Sequence, residues 1–287
     1  MKPVVAIVGC GRTGSALGVM LAQKGYPFSG LASRSLDSAR RLAARCGIGR
    51  YSDRASSITR ESDIILLTTP DDAIQQACER LVQENGISPG AAVLHCSGAH
   101  PSTILASART IGAAIGSMHP LQSFASTDVI GNPFLGIQMA IEGDDAACRK
   151  AREIAIDLEA HPISIGTETK PLYHAAAVVA SNFLVVLMDM ALRLNAASGI
   201  PYGDGFAVLK PLITGTIHNI ERIGPQAALT GPVVRSDFQT VKTHLQAIQA
   251  HAPEWLLLYR SLIQSTAELA YKAGRITQET RDRFLAF

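Results

Sequence analysis

Residues 4–18 read VVAIVGCGRTGSALG. A β-branched apolar run, Val4, Val5, Ile7 and Val8, turns abruptly into Gly9, Gly11 and Gly14. The chain then continues as GSALGVMLAQKG with a helical pattern. The spacing is G-x-G-x-x-G, and each glycine has a separate physical task. The first permits a tight turn, the second lets a pyrophosphate approach the backbone, and the third lets helix and strand pack closely. A strand before the turn and a helix after it supply the context the motif requires. The stretch therefore predicts a dinucleotide site on Gly9, Cys10, Gly11, Arg12, Thr13 and Gly14, with the pyrophosphate at the helix N-terminus.

Working outward, short apolar runs alternate with helix-like segments up to about residue 165, the pattern of a parallel sheet covered by helices. The strand candidates are 4–8, 27–33, 64–68, 92–95, 114–118, 136–141 and 162–165; helices are expected at 36–46, 71–84 and 146–158. From 166 the chain reads as helical, with segments at 171–198, 204–223, 237–249, 254–273 and 278–285 separated by Gly- and Pro-containing breaks. A length of 287 residues suits two domains. The predicted fold is an α/β Rossmann-like doubly wound parallel sheet over 1–165, then an all-α domain over 166–287, with the Pro171 helix as hinge.

A net charge of +2 without a Lys/Arg cluster argues against nucleic acid, and 5% aromatic content leaves few stacking platforms. The five cysteines are scattered and contain no C-x-x-C, which fits reduced thiols in a cytoplasm and neither a disulfide framework nor a metal site. The N-terminal apolar run is too short for a signal peptide. The longest apolar stretch, from Ala175, contains Ser181, Asn182 and Asp189, so it reads as a buried helix and not as a membrane span.

The end of the second strand of such a fold selects the dinucleotide, because an acid there bonds the ribose 2′-OH of NAD and repels a 2′-phosphate. Here that end carries Ser33, Arg34 and Ser35, with no acid until Asp37. An arginine fork suits a phosphate dianion, which favours NADP. The alternative makes Arg34 a solvated residue; Asp37 is expected to cap the next helix in either case.

Ligands of open α/β sheets lie beyond the carboxyl ends of the strands. Three such ends are polar: Thr68, Thr69, Pro70 and Asp71; His95, Cys96, Ser97 and Gly98; and Ser117, Met118, His119, Pro120, Gln122 and Ser123. Thr69, Pro70 and Ser97 are placed near the nicotinamide. Hydride transfer to a carbonyl or imine needs a proton donor, and His119 is the first choice, against a histidine bonded locally in its turn. Ser97 either orients the imidazole or substrate or closes a Ser-Gly turn. Further along, His174 and Ser181 are seven apart, about 20° out of line on one helix face, with Asn182 adjacent. These polar groups face either a substrate or an interhelical hydrogen-bond network. Arg235 either grips a substrate carboxylate or pairs with Asp237, which is placed to cap the following helix.

Taken in order, GCGRTGSALG, TTPDD, HCSGAH, GSMHPLQSF, YHAAAVVASNFLVVL and ALTGPVVRSDFQTVKTHL resemble the predicted NADP oxidoreductases with a Rossmann-like domain and a C-terminal helical domain of formerly unknown function. That family is similar in layout to 6-phosphogluconate dehydrogenase, pyrroline-5-carboxylate reductase, the deazaflavin-dependent NADP reductases, the β-hydroxyacid dehydrogenases and prephenate dehydrogenase, and includes ketopantoate reductase-like proteins. The resemblance implies NADPH-dependent reduction of a small keto acid or imine carboxylate and a homodimer formed through the helical domain. His119 and Ser97 match the His-Pro histidine and its supporting serine in prephenate dehydrogenases. The β-hydroxyacid dehydrogenases use Lys-x-x-x-Asn on the interdomain helix. Here Lys170 precedes Pro171 and is read as lying outside the helix, so His174 with Asn182 stands as the expected replacement. The alternative readings are an NADP-binding sensor or scaffold without turnover and a prephenate- or arogenate-type dehydrogenase.

Overall fold

The computed structural model describes all 287 residues. The first part of the chain runs β1 (Val5–Val8), α1 (Arg12–Gln23), β2 (Phe28–Ala32), α2 (Leu36–Cys46), β3 (Tyr51–Ser52), α3 (Ser56–Thr59), β4 (Ile64–Leu67), α4 (Ile74–Gln83), β5 (Ala92–His95) and α5 (Ala106–Arg109). It continues with β6 (Ala114–Pro120), β7 (Gln138–Gly143), α6 (Asp145–Asp157), β8 (His161–Ser164) and α7 (Lys170–Val178). The remaining helices are α8 (Leu184–Ala197), α9 (Tyr202–Ala228), α10 (Phe238–His251), α11 (Leu256–Lys272) and α12 (Gln278–Leu285).

One eight-stranded sheet has the order β3-β2-β1-β4-β5-β6-β7-β8. The first six strands are parallel, in the Rossmann order, with the direction of winding reversing between β1 and β4. β7 departs from the expected parallel arrangement: it runs antiparallel to β6, with Met118 opposite Ile141. No crossover helix lies between residues 120 and 138, and a return without a crossover gives an antiparallel neighbour. The short edge strand β3 was not foreseen, since two residues leave no periodic trace.

The strands β1, β4 and β5 are four-residue runs buried throughout because helices cover both faces of the sheet. Their side chains alternate between two layers. Ile7, Leu66 and Leu94 pack with Leu17, Leu42 and Ile154 from α1, α2 and α6. Ile65, Leu67 and Val93 pack on the other face with Ile74, Cys78 and Leu81 from α4. At about 1.5–3 kcal/mol for each fully buried large aliphatic side chain, these two layers hold the strand ends in register.

The chain divides into two compact units, Met1–Ser181 and Asn182–Phe287, later than the expected boundary after residue 165. The difference is α7, whose Lys170 and Tyr173 bond to β6 and β7 residues. The second unit has its own core, in which Val241 and Leu245 of α10 pack with Ile263 and Ala267 of α11 and Phe284 of α12. Its longest helix breaks at Gly224 (φ +77°), just before Pro225, where the sequence predicts an end.

The expectation of a buried helix over 171–198 is corrected. Over Lys170–Ala197, whose most apolar window has a mean hydropathy of 2.0, only Lys170 and Met190 are buried. By length and composition alone it is long enough to cross a membrane. A π-helical turn, Val179–Phe183, interrupts the α-helical spacing, so Ser181 does not fall in line with His174 as the uniform 100° step implied. Ser181 and Asn182 are exposed and not buried polar groups.

Candidate functional site

Gly9 makes the tight turn and Gly14 the close packing that the spacing predicts. Gly9 has φ +111°, its N–H donates to the Ala32 carbonyl at 2.8 Å, and its carbonyl accepts from Thr68 Oγ1 at 2.5 Å. A Cβ there would lie 2.6 Å from the Thr68 carbonyl carbon and oxygen. A Cβ on Gly14 would collide with the Gly9 carbonyl oxygen, so this glycine holds α1 against the turn. Gly11 is different: nothing lies within 4 Å of its Cβ position. It is also the N-cap of α1 and offers no side-chain cap, leaving first-turn N–H groups free for an anion.

A cavity of about 860 Å³ opens from this turn. Gly9, Cys10, Gly11, Arg12, Thr13, Ser33, Arg34, Thr69 and Pro70 line it, as expected. Gly14 lies behind the wall. Thr69 Oγ1 is buried without a protein partner, so the cavity has a hydroxyl to offer a ligand. Two expected lining residues are elsewhere. Ser35, and not Asp37, is the N-cap of α2 and accepts from Ser38 N at 3.3 Å; Asp37 pairs with Arg40 at 2.7 Å and with Arg41. Ser97 closes its own turn, its Oγ accepting from Ala99 N and His100 N at 3.1 Å and donating to Asp71 at 2.8 Å.

The imidazole of His119 is therefore oriented by a residue other than Ser97. Its Nδ1 lies 3.0 Å from the Tyr173 hydroxyl, and the rings meet edge to face. His174 lies in a second edge-to-face arrangement, 5.9 Å between ring centroids. Gly98 passes between the two histidines: a Cβ on it would be 2.5 Å from His174 Nδ1 and 2.8 Å from His119 Nε2. Burial, the Lys170 ammonium and His174 push the His119 pKa down to about 4, so the imidazole is neutral at pH 7. His174 Nδ1 is buried and without a partner. Beneath them His95 is fully buried, and burial together with Lys170 pushes it down to about 3. Its Nδ1 accepts from Ser97 N at 3.1 Å, which fixes the loop beside His119.

Lys170 is the residue that sequence reasoning set aside. It is the first residue of α7, with Pro171 second, and proline is tolerated throughout that first turn. Its side chain is fully buried; Nζ bonds Ser117 Oγ and lies 3.2 Å from Glu142 Oε1. Burial lowers its pKa, opposed by the Glu142 carboxylate. Glu142 accepts in addition from Ser102 N and Ser102 Oγ at 2.7 Å and from Thr167 Oγ1 at 3.1 Å. Two signals were available: Lys170 and His174 are one helical turn apart, and Glu142 interrupts an apolar strand, where a buried acid requires a cation.

The other expected site residues belong to the helical unit. Asn182 is exposed at its start, and Arg235 is exposed in the turn before α10. Asp237 caps α10 as predicted, accepting from Thr240 N at 3.0 Å. His244 is hydrogen-bonded within the unit to Tyr259 at 2.8 Å.

Residues 2–120 match the Rossmann-like domain family, and residues 137–266 match the family described as domain of unknown function DUF2520. None of the curated proteins matches the chain. Among solved structures, BF3122 from Bacteroides fragilis, described as a candidate NADP oxidoreductase, superposes with a TM-score of 0.77 at 23% identity, covering 94% of this chain and 98% of that one. Protein TM1727 from Thermotoga maritima has a TM-score of 0.71 and 26% identity over 93% of this chain and 98% of its own. The imine reductase from Myxococcus stipitatus in complex with NADP+ has 0.66 and 18% over 99% and 100%. The chain thus joins a Rossmann-like N-terminal domain to a C-terminal domain of the DUF2520 family, in the layout of the imine reductases.

Proposed function

We propose that this protein is an NADPH-dependent oxidoreductase that reduces the carbonyl or imine carbon of a small carboxylate-bearing substrate. One observation carries the reading: the cavity at the strand ends joins the open space over Gly11 to Arg34, two residues past β2. The first-turn N–H groups of α1 hold the pyrophosphate, and Arg34 with Ser33 holds the 2′-phosphate. The bound nicotinamide supplies the hydride. The protein supplies the proton path: Tyr173 holds His119 at Nδ1, which leaves Nε2, beside the Cβ-free Gly98, as the atom that meets the substrate. A neutral imidazole is a poor acid, but a substrate carboxylate bound beside His119 brings negative charge that offsets the nearby Lys170 ammonium and raises the histidine pKa towards neutrality.

NADPH oxidation is expected with members of a panel of 2-keto acids and cyclic imines. His119→Gln should lower kcat by about 10²- to 10⁴-fold while leaving NADPH affinity within about twofold. Tight NADPH binding without oxidation across the panel would show a sensor or scaffold. Turnover only of cyclic hydroxy acids in the oxidative direction would reverse the assigned reaction.

We also propose that a second copy of the chain covers the apolar face of α8 and α9. Val185, Val186, Phe206, Val208, Leu212 and Ile217 are exposed on these two helices, and exposed large apolar side chains gathered on neighbouring elements mark an interaction surface. The Asp189–Arg193 ion pair and the Tyr202–Asp189 hydrogen bond lie on the same helices and fit a protein partner better than a bilayer. An isologous dimer buries such a face against itself. Sedimentation should give a dimer at micromolar concentration and a monomer for Leu212→Asp; a monomeric wild type would refute the assignment.

A further inference from the structure

The parallel pairing of β2 with β3 sets Ala32 opposite Ser52, and Ser33 N donates to the Ser52 carbonyl at 3.1 Å. The residues that follow the two strands therefore leave the sheet side by side. Arg34 follows β2, Arg54 follows β3, and both line the cavity that opens from the glycine turn. The loop carrying Arg54 is held in place, its backbone N–H donating to Ser52 Oγ at 2.9 Å. Its guanidinium is engaged by a carboxylate: Nε lies 3.3 Å from Glu84 Oε2 and 3.2 Å from Ser56 Oγ. Ser56 in turn donates to Glu84 at 2.5 Å. Glu84, at the end of α4, lines the same cavity.

This triad has an asymmetry. Glu84 keeps its bond to Ser56 if Arg54 leaves, and Arg54, whose side chain is largely exposed, is free to turn towards another anion in the cavity. The guanidinium is about two-thirds exposed, so the pair is weakly held. A phosphate dianion offers a guanidinium more charge and more acceptor oxygens than a carboxylate.

We propose that Arg54 is a second determinant of the dinucleotide's 2′-phosphate, exchanging Glu84 for the phosphate when the cofactor binds, so that Glu84 sets how strongly a 2′-phosphorylated dinucleotide is preferred over an unphosphorylated one. The proposal rests on the dinucleotide reading of the cavity. It adds a specificity residue on β3 to the one on β2 and assigns the carboxylate the role of competitor.

Calorimetric titration of the full chain with NADPH, NADH and 2′,5′-ADP tests it. Arg54→Ala should weaken NADPH and 2′,5′-ADP by about ten- to hundredfold and leave NADH within about twofold. Glu84→Gln should strengthen NADPH and 2′,5′-ADP by about three- to tenfold with NADH unchanged. Both sites are at the surface, and an unchanged thermal midpoint shows that each variant is folded. Equal losses for NADPH and NADH in Arg54→Ala, or no loss for either, overturn the role of Arg54 and leave the dinucleotide site standing. A weaker or unchanged NADPH affinity in Glu84→Gln overturns the exchange. Folded wild type that binds neither dinucleotide overturns both readings.

Discussion

Gly11→Ala is expected to fold like the wild type yet lose about a hundredfold in NADPH affinity, whereas Gly14→Ala is expected to lose stability. The two glycines are three residues apart in one turn, and their surroundings separate the outcomes. Gly11 has φ −79° and ψ −162°, which any residue adopts, and its added methyl would meet no protein atom. That methyl instead occupies the space a pyrophosphate needs to reach the first-turn N–H groups; a hundredfold loss corresponds to about 2.7 kcal/mol of binding energy. At Gly14 the methyl runs into the Gly9 carbonyl oxygen and lies 2.6 Å from Thr68 Oγ1. Alanine in a helix gains about 1 kcal/mol over glycine, but overpacking against backbone costs about 3 kcal/mol, so the clash wins. Urea denaturation and calorimetry on both variants separate these effects. Wild-type NADPH affinity in Gly11→Ala would remove the pyrophosphate from this turn.

Glu142→Ala is expected to destabilise the first unit by about 3–5 kcal/mol, because it leaves the fully buried Lys170 ammonium without its counter-ion. Ser102 N, Ser102 Oγ and Thr167 Oγ1 lose their acceptor as well. The double variant Glu142→Leu/Lys170→Met removes both charges and keeps the volume, and should recover the part of that loss due to the unpaired ammonium, since buried ion pairs contribute little net stability over an apolar replacement, while the Ser102 and Thr167 donors stay without an acceptor. A double-mutant cycle on urea midpoints reads the coupling. Additive losses would mean that the two side chains do not depend on one another. The double variant also separates stability from chemistry: burial does most to hold the His119 pKa down and the Lys170 ammonium adds to it, so loss of that charge should move the pH dependence of turnover towards higher pH while the protein remains folded.

Much of the frame is legible in the sequence. The helices at 36–46 and 278–285 coincide with the observed α2 and α12, and strand 92–95 with β5. Local chemistry explains this: Ser35 starts α2, and Gly47 at φ +68° stops it. His119 was legible as a polar residue at a strand end, but its partner was not. Tyr173 is 54 positions away, and nothing within either segment refers to the other. The reading of Lys170 failed for a local reason. A lysine ahead of a proline was placed outside the helix although both fit its first turn, and the error hid the buried cluster.

By itself the sequence determined the glycine turn, the sheet that carries it and the change to helices in the second half, because each follows from side-chain periodicity and backbone freedom within a few residues. Only the tertiary structure decided that Ser97 closes a turn, that Tyr173 holds His119, that Lys170 lies buried against Glu142 and Ser117, and that the long apolar helix is exposed. Those outcomes depend on which distant segments share a neighbourhood and on what lies beside an apolar face, and a pattern along one chain encodes neither.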